Sequence, residues 1–293
     1  MFSRRSFLRS VTMALAAGAR METGRAADPE AELDAALADL DARCGGRLGV
    51  AVIGADGRLL AAHRAEERFP LCSTCKTLIV AATLARIDAG AETLDRSLVI
   101  APGELLAYAP VARTRVGQGM TISELCDAAI TISDNTAANK LVGELGGPAA
   151  VTGYLRSLGD DVTRLDRTEP DLNQGEPGDA RDTTRPFAMA RTVLQVTTGA
   201  ALSPESRNRL VAWLIGCKTG TARLRAGLPG DWRVGDKTGS GGHGATNDVA
   251  IVWPHGGPPI VIAAYLADTP APDADKNAIH AAVARAVAHA ITK

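Results

Sequence analysis

Apolar and polar positions along this chain alternate first with a period near 3.6, then with a period of 2, and then with 3.6 again. Residues 28–46, DPEAELDAALADLDARCGG, read as an amphipathic helix with Pro29 near its start and glycines beyond its end. RLGVAVIGADGRLLAAHR then predicts two strands joined at Asp56-Gly57, a pairing that favours a hairpin turn. From Pro70 to Trp213 the pattern is largely helical, with 3.6-residue periodicity over 74–89, 121–130, 134–144, 149–157 and 185–197. One segment within it, RLDRTEPDLNQGEPGDARDTTRP (164–186), has little apolar content, and so long a stretch inside a compact domain is either functional or disordered. The tail returns to strands at WRVGDKTG, NDVAIVWP and PIVIAAYLA and ends in an amphipathic helix over 274–292. This order predicts an α+β fold whose sheet draws on both chain ends, 28–69 and 214–293, with an all-α subdomain inserted over 70–213 that includes the 164–186 loop.

Composition refines the picture. Apolar residues make up 46% and aromatics only 3%, so the core is expected to be Ala, Val and Leu in helices. The net charge is −1, and the first 26 residues hold five Arg against one Glu. Without them the chain is mildly acidic and has no basic stripe for nucleic acid. SRRSFLR, then SVTMALAAGA, then GRAAD have the layout of an export signal over 1–27, and Arg4-Arg5 followed by Phe7-Leu8 is of the twin-arginine type. Arg20, Met21 and Glu22 leave the cleavage position open. This predicts a periplasmic protein without stable membrane association, because no other apolar run approaches the ~18 residues of a spanning helix.

RFPLCSTCKTLIV (68–80) holds two overlapping motifs. Cys72 and Cys75 form a C-x-x-C. A redox pair would need a preceding βαβ unit, whereas a hairpin precedes this one. A zinc site would need a second ligand pair, and neither the scattered Cys44, Cys126 and Cys217 nor His63, His243, His255, His280 and His289 supply the spacing. The cysteines are therefore read as buried small hydrophobes, with Cys72 and Cys75 about 100° around a helix from the face bearing Ser73 and Lys76. Those two form an S-x-x-K. A serine hydroxyl is a poor nucleophile without a base beside it, and one helical turn brings a lysine amine there. A helix starting at this point would also aim free N–H groups at a developing oxyanion.

Three distant segments supply what such a pair needs. Ser133-Asp134-Asn135 lies at a predicted helix start, where a plain N-cap is equally expected. Lys237-Thr238-Gly239 ends a predicted strand and is followed by SGG. S-x-x-K, S-D-N and K-T-G in this order are the motif set of class A β-lactamases and penicillin-binding proteins. RTEPDLN (167–173) adds a carboxylate, Glu169, and an amide, Asn173, suited to holding a water against an ester. On STCK, SDNTAANKL, RTEPDLN, ARLRAGLP, DKTGSGG and TNDVAIVWP the chain resembles a class A serine β-lactamase from 28 to 293.

That resemblance implies an α/β/α sandwich with a five-stranded antiparallel sheet, and β-lactam hydrolysis through a serine acyl-enzyme. Ser73 is then the nucleophile, with Lys76 or Glu169 as acylation base. Ser133 is the proton relay to the leaving nitrogen, and Glu169 with Asn173 positions the deacylating water. Asn135 takes the substrate side-chain amide, while Lys237, Thr238, Gly239 and Ser240 take its carboxylate. Tyr108 walls the cleft, and Arg223 is the candidate extra guanidinium facing the carboxylate. Arg167 and Asp182 pin the loop, and the bond before Pro170 is a candidate cis peptide. CKTG (217–220) is read as a decoy. Neither of the family's two disulfides is expected, since Gly241 and Val80 stand where the partners of Cys72 and Cys126 would be. The resemblance implies no metal or organic cofactor and a small β-lactam as substrate; a monomer is the default expectation. A penicillin-binding D,D-peptidase, which shares the first three motifs without Glu169, and a β-lactam sensor domain, which shares S-x-x-K and S-D-N and also lacks that base, are the alternatives.

Overall fold

The computed structural model describes residues 29–292, so the predicted signal lies outside the described residues. Five antiparallel strands form the sheet: β1 (Arg47–Gly54), β2 (Leu59–His63), β3 (Arg233–Ser240), β4 (Thr246–Trp253) and β5 (Ile260–Ala267), in the order β2-β1-β5-β4-β3. The central strand β5 is buried along its whole length and β1 nearly so. That explains their continuous apolar runs, because both faces of the sheet are covered.

Helices α1 (Pro29–Arg43) and α8 (Asp273–Ile291) cover one face. Leu33, Leu37 and Leu40 pack there with Val50, Val52, Ile262, Ala264, Val283 and Val287. The other face presents Ala51, Ile53, Val261, Ala263 and Tyr265 to the helical half of the molecule. Against that face lie α6 (Pro186–Thr197), on β1 and β5, and α7 (Pro204–Ile215), on β3. Beyond them come α2 (Cys75–Asp88), α3 (Ile122–Thr131), α4 (Asn135–Leu145) and α5 (Pro148–Ser157).

Helix α2 is buried without interruption from Cys75 to Leu84. A helix that is apolar all round belongs at the centre of its domain, and so Lys76 at its first turn is carried into the interior. The short pairs Phe69–Pro70 with Thr183–Thr184 and Ser97–Val99 with Gly119–Thr121 tie down the connections.

The structure departs from the periodicity reading at three places. Ser73 lies not in the α-helix but in a 3₁₀ turn, Cys72–Thr74, that leads into it. Helix α7 follows a Ser203 cap whose side chain accepts from Ser206 N–H, and only Leu210 and Leu214 of its apolar residues are fully buried, too few for a clear stripe. The 164–186 segment is ordered, with a 3₁₀ turn at Asp171–Asn173 and two apolar anchors, Leu165 and Leu172, buried in the helical core.

Candidate active site

The turn that carries Ser73 is held on several sides. Leu71 N–H donates to Asp182 O (2.8 Å), Thr74 Oγ1 to Leu71 O (2.6 Å), and Asn247 Nδ2 to Pro70 O (2.8 Å). Cys72 takes φ +45° within this clamp, a left-handed conformation that a non-glycine residue adopts at a cost of about 1–3 kcal/mol. β3 passes close by: a Cβ on Gly239 would sit 3.0 Å from Leu71 O and 3.2 Å from Ser73 N, so a side chain at the K-T-G glycine would crowd the nucleophile turn.

Lys76 Nζ lies 2.7 Å from Ser73 Oγ, 2.7 Å from Asn135 Oδ1, 2.7 Å from Glu169 Oε1 and 3.2 Å from Ser133 Oγ. Both Lys76 and Glu169 are fully buried. Ser73 Oγ accepts from Lys76 and donates to Glu169 Oε1 (3.3 Å), so the hydroxyl already has a proton path to a carboxylate. Ser133, at φ +64°, faces two lysine side chains, since Lys237 Nζ also donates to its Oγ (3.0 Å). With both lone pairs of that oxygen occupied, its own proton is left to point into the cleft. Burial first, and the Lys76 charge second, pull Lys237 down to about 8.

Glu169 is delivered by the loop and gripped by its backbone. Asn139, on α4, donates from Nδ2 to Glu169 O (2.8 Å) and accepts Glu169 N–H on Oδ1 (2.9 Å). Asn173 Nδ2 donates to Glu169 Oε2, and the Glu169–Pro170 bond is cis. Arg167 and Asp182 form an ion pair, and Asp182 Oδ1 also accepts from Asp166 N–H (2.7 Å) and Arg167 N–H (2.9 Å). An Asp182→Ala variant leaves these donors unpaired and is expected to lose on the order of 3 kcal/mol of stability. Scanning calorimetry would read that as a melting point lower by about 10 °C; an unchanged melting point would remove Asp182 as the loop's anchor.

The strand edge and the loop meet tightly. Gly242 N–H donates to Asn173 O (2.8 Å), and a Cβ there would lie 2.2 Å from Gln174 O. Arg223 is largely buried and donates to Gly239 O (2.8 Å), Asn247 O (2.7 Å), Asn277 Oδ1 (3.0 Å) and Ser240 Oγ (2.8 Å). It is thus fixed at the rim of the cleft and not solvated on the surface. Tyr108, half exposed, closes the opposite wall and donates its hydroxyl to Ile132 O (3.1 Å).

The cleft between these groups has a volume of about 320 Å³ and is lined by Ser73, Ser133, Asn135, Thr238 and Ser240 among others. A larger cavity of about 480 Å³ behind the loop, between Arg47, Arg68 and residues 175–180, contains none of these groups. Every residue singled out in the sequence for catalysis or substrate binding lies in or against the smaller cleft. Three neighbours were not singled out. Asn139 lies one helical turn beyond Asn135, where face periodicity on α4 could have found it. Asn247 clamps the nucleophile turn. Thr219, within the supposed decoy CKTG, also lines the cleft.

The five cysteines are all buried and free. Burial pushes the Cys72 thiol up to about 12 and the Cys75 thiol up as well. Such thiols are chemically inert, so the C-x-x-C is packing.

A serine with a lysine one turn away, a second buried lysine across a shared hydroxyl and a loop carboxylate, on a sheet flanked by helices, define a serine acyl-transferring hydrolase. Residues 31–291 match the model of the β-lactamase enzyme family. The chain is 47% identical over 251 residues to β-lactamase CTX-M-25 of Escherichia coli and 44% identical over 251 residues to β-lactamase OXY-1 of Klebsiella oxytoca, in each case covering 86% of both chains. The solved structure of an ancestral (GNCA) class A β-lactamase superposes with a TM-score of 0.87 at 57% identity, covering 88% of this chain and 99% of that one. The chain belongs to the β-lactamase enzyme family and, within it, to class A.

Proposed function

We propose that Ser73 is the nucleophile and Glu169 the deacylating base of a β-lactam hydrolase acting on penicillins and cephalosporins. The observation that carries this reading is the position of Ser73 Oγ, between the Lys76 amine and Glu169 Oε1. Ser73 attacks the lactam carbonyl and passes its proton to Glu169 or to Lys76, whichever holds the free base. The backbone N–H groups of Ser73 and Ser240 stabilise the oxyanion, each worth about 10²–10³ in rate. The C–N bond breaks, and Ser133 supplies the proton to the leaving nitrogen while the two lysines resupply it. Glu169 and Asn173 then direct a water onto the acyl ester, and Ser73 is released. Lys237, Thr238, Ser240 and Arg223 hold the substrate carboxylate, Asn135 its side-chain amide, and Tyr108 the cleft wall.

The test is a rate panel on the purified enzyme over a penicillin, an oxyimino-cephalosporin and a carbapenem, with intact-protein mass spectrometry at early times. Turnover of the penicillin through a transient adduct on Ser73 is expected; adduct formation without turnover would favour the D,D-peptidase or sensor reading. A pH series tests the carboxylate site. Lys237 is an ammonium below about pH 8 and a neutral amine above it. KM for penicillins is therefore expected to rise about tenfold per pH unit above that point. A flat KM up to pH 9.5 would exclude Lys237 as the carboxylate's charge partner. The linkage for folding runs the other way: the native amine titrates below the 10.5 of a free lysine. The buried charge thus opposes folding below about pH 8, and that opposition fades as pH climbs toward 10.5.

No helix among the described residues is long and apolar enough to cross a membrane. With the sequence of residues 1–27, this supports a periplasmic protein exported by the twin-arginine route. The two halves of the α/β unit, 28–69 and 214–293, then flank the helical unit 70–213, and the cleft runs along their seam.

A further inference from the structure

Behind the K-T-G strand, a chain of hydroxyl and thiol groups runs from the cleft to a buried carboxyl. Thr238 Oγ1 contacts Thr219 Oγ1 at 2.5 Å, and Thr219 Oγ1 contacts Cys217 Sγ at 3.3 Å. The Cys217 thiol in turn lies against the carboxyl of Asp236, a residue with no solvent exposure. Asp236 Oδ1 is taken by Arg225, whereas Oδ2, packed on Gly220, has no partner of its own. Nothing in the catalytic scheme uses Cys217, Thr219 or Asp236.

We infer that Cys217 is a positioning residue for substrate binding: its thiol orients the Thr219 hydroxyl so that Thr238 presents its proton to the cleft. The inference rests on the reading of Thr238 as a ligand of the substrate carboxylate.

Each hydroxyl and the thiol has a single proton. To donate to a carboxylate in the cleft, Thr238 must accept from Thr219. Thr219 must then accept from the Cys217 thiol, the one other polar group in contact with it along this chain. Burial pushes the Asp236 carboxyl up, against the opposing pull of Arg225, Cys217 and Lys237.

The test compares Cys217→Ala, Cys217→Ser, Thr219→Val and Thr238→Val in the full chain. The readouts are kcat and KM for benzylpenicillin and Ki for phenylboronic acid, which engages the nucleophile but lacks a carboxylate. Cys217→Ala and Thr219→Val are expected to raise KM about tenfold, the loss of one hydrogen bond to a charged acceptor, with kcat and the boronate Ki within about twofold of the parent. Serine can both donate and accept, so Cys217→Ser is expected to restore KM. An unchanged KM in either Cys217→Ala or Thr219→Val overturns the relay. So does a parallel loss of penicillin and boronate affinity, which marks a packing defect, and so does failure of Cys217→Ser to rescue. If Cys217→Ala does not fold, Thr219→Val decides. Thr238→Val separates the two layers: if it leaves KM unchanged, the reading of the carboxylate site fails; if it raises KM while Cys217→Ala does not, only the relay fails.

Discussion

In a Glu169→Ala variant, benzylpenicillin is expected to remain attached to Ser73. Acylation still has Lys76 beside the nucleophile, and the strained lactam opens readily. Hydrolysis of the unstrained ester that results has lost the carboxylate that Asn139 and Asn173 hold in place. General-base assistance contributes about 10²–10⁴ in rate, so the acyl-enzyme is expected to outlive that of the parent by a similar factor. Stopped-flow absorbance would show one equivalent of penicillin consumed, followed by near-silence, and mass spectrometry would show the whole drug retained. Undiminished steady-state turnover would remove Glu169 from deacylation. The variant also reproduces, in one substitution, the behaviour expected of the rival readings, which lack the carboxylate at 169 and would hold penicillin as a long-lived ester.

Lys76→Met fails earlier. Methionine keeps much of the side-chain length but no donor, so Ser73 Oγ, Asn135 Oδ1 and Glu169 Oε1 all lose the group that now bridges them. The initial burst itself is expected to slow by about 10²–10⁴. Removal of one member of a buried ion pair adds a stability cost of roughly 3–5 kcal/mol, to be read by thermal melting in parallel. If the methionine variant does not fold, Lys76→Arg keeps the charge but not the point-like, titratable amine and should show the same slow acylation. A burst at the parent rate in either variant would exclude Lys76 from the acylation step.

The parts of the site that could be read from the sequence are those in which chemistry imposes spacing. Ser73 and Lys76 must lie one turn apart, Lys237 through Ser240 must share a strand end, and Glu169 must be able to reach an amide nearby. What sequence did not reveal are single polar residues whose importance comes only from the fold. Asn139 matters because α4 carries it under the loop, and Asn247 because β4 runs beneath the nucleophile turn. Thr219 looked like part of a misplaced motif until β3 brought Thr238 beside it. The fold divides in the same way. β1, β5 and α2 are so deeply buried that their apolar runs are unmistakable, whereas α7 has too few buried positions to leave a stripe. The 3₁₀ turn at Ser73 was hidden because its geometry is imposed by contacts from Asp182 and Asn247, distant in sequence.

The five buried thiols bear on how the protein is made. In the folded chain all five thiols are buried, so none is presented to an oxidant or an alkylating reagent. An unfolded chain in an oxidising compartment would have five unpaired thiols and no native disulfide to guide their pairing, so any bridge formed there is a wrong one. The order of folding and exposure to oxidant therefore becomes a determinant of yield: active enzyme accumulates when the core closes before the sulfurs meet an oxidant.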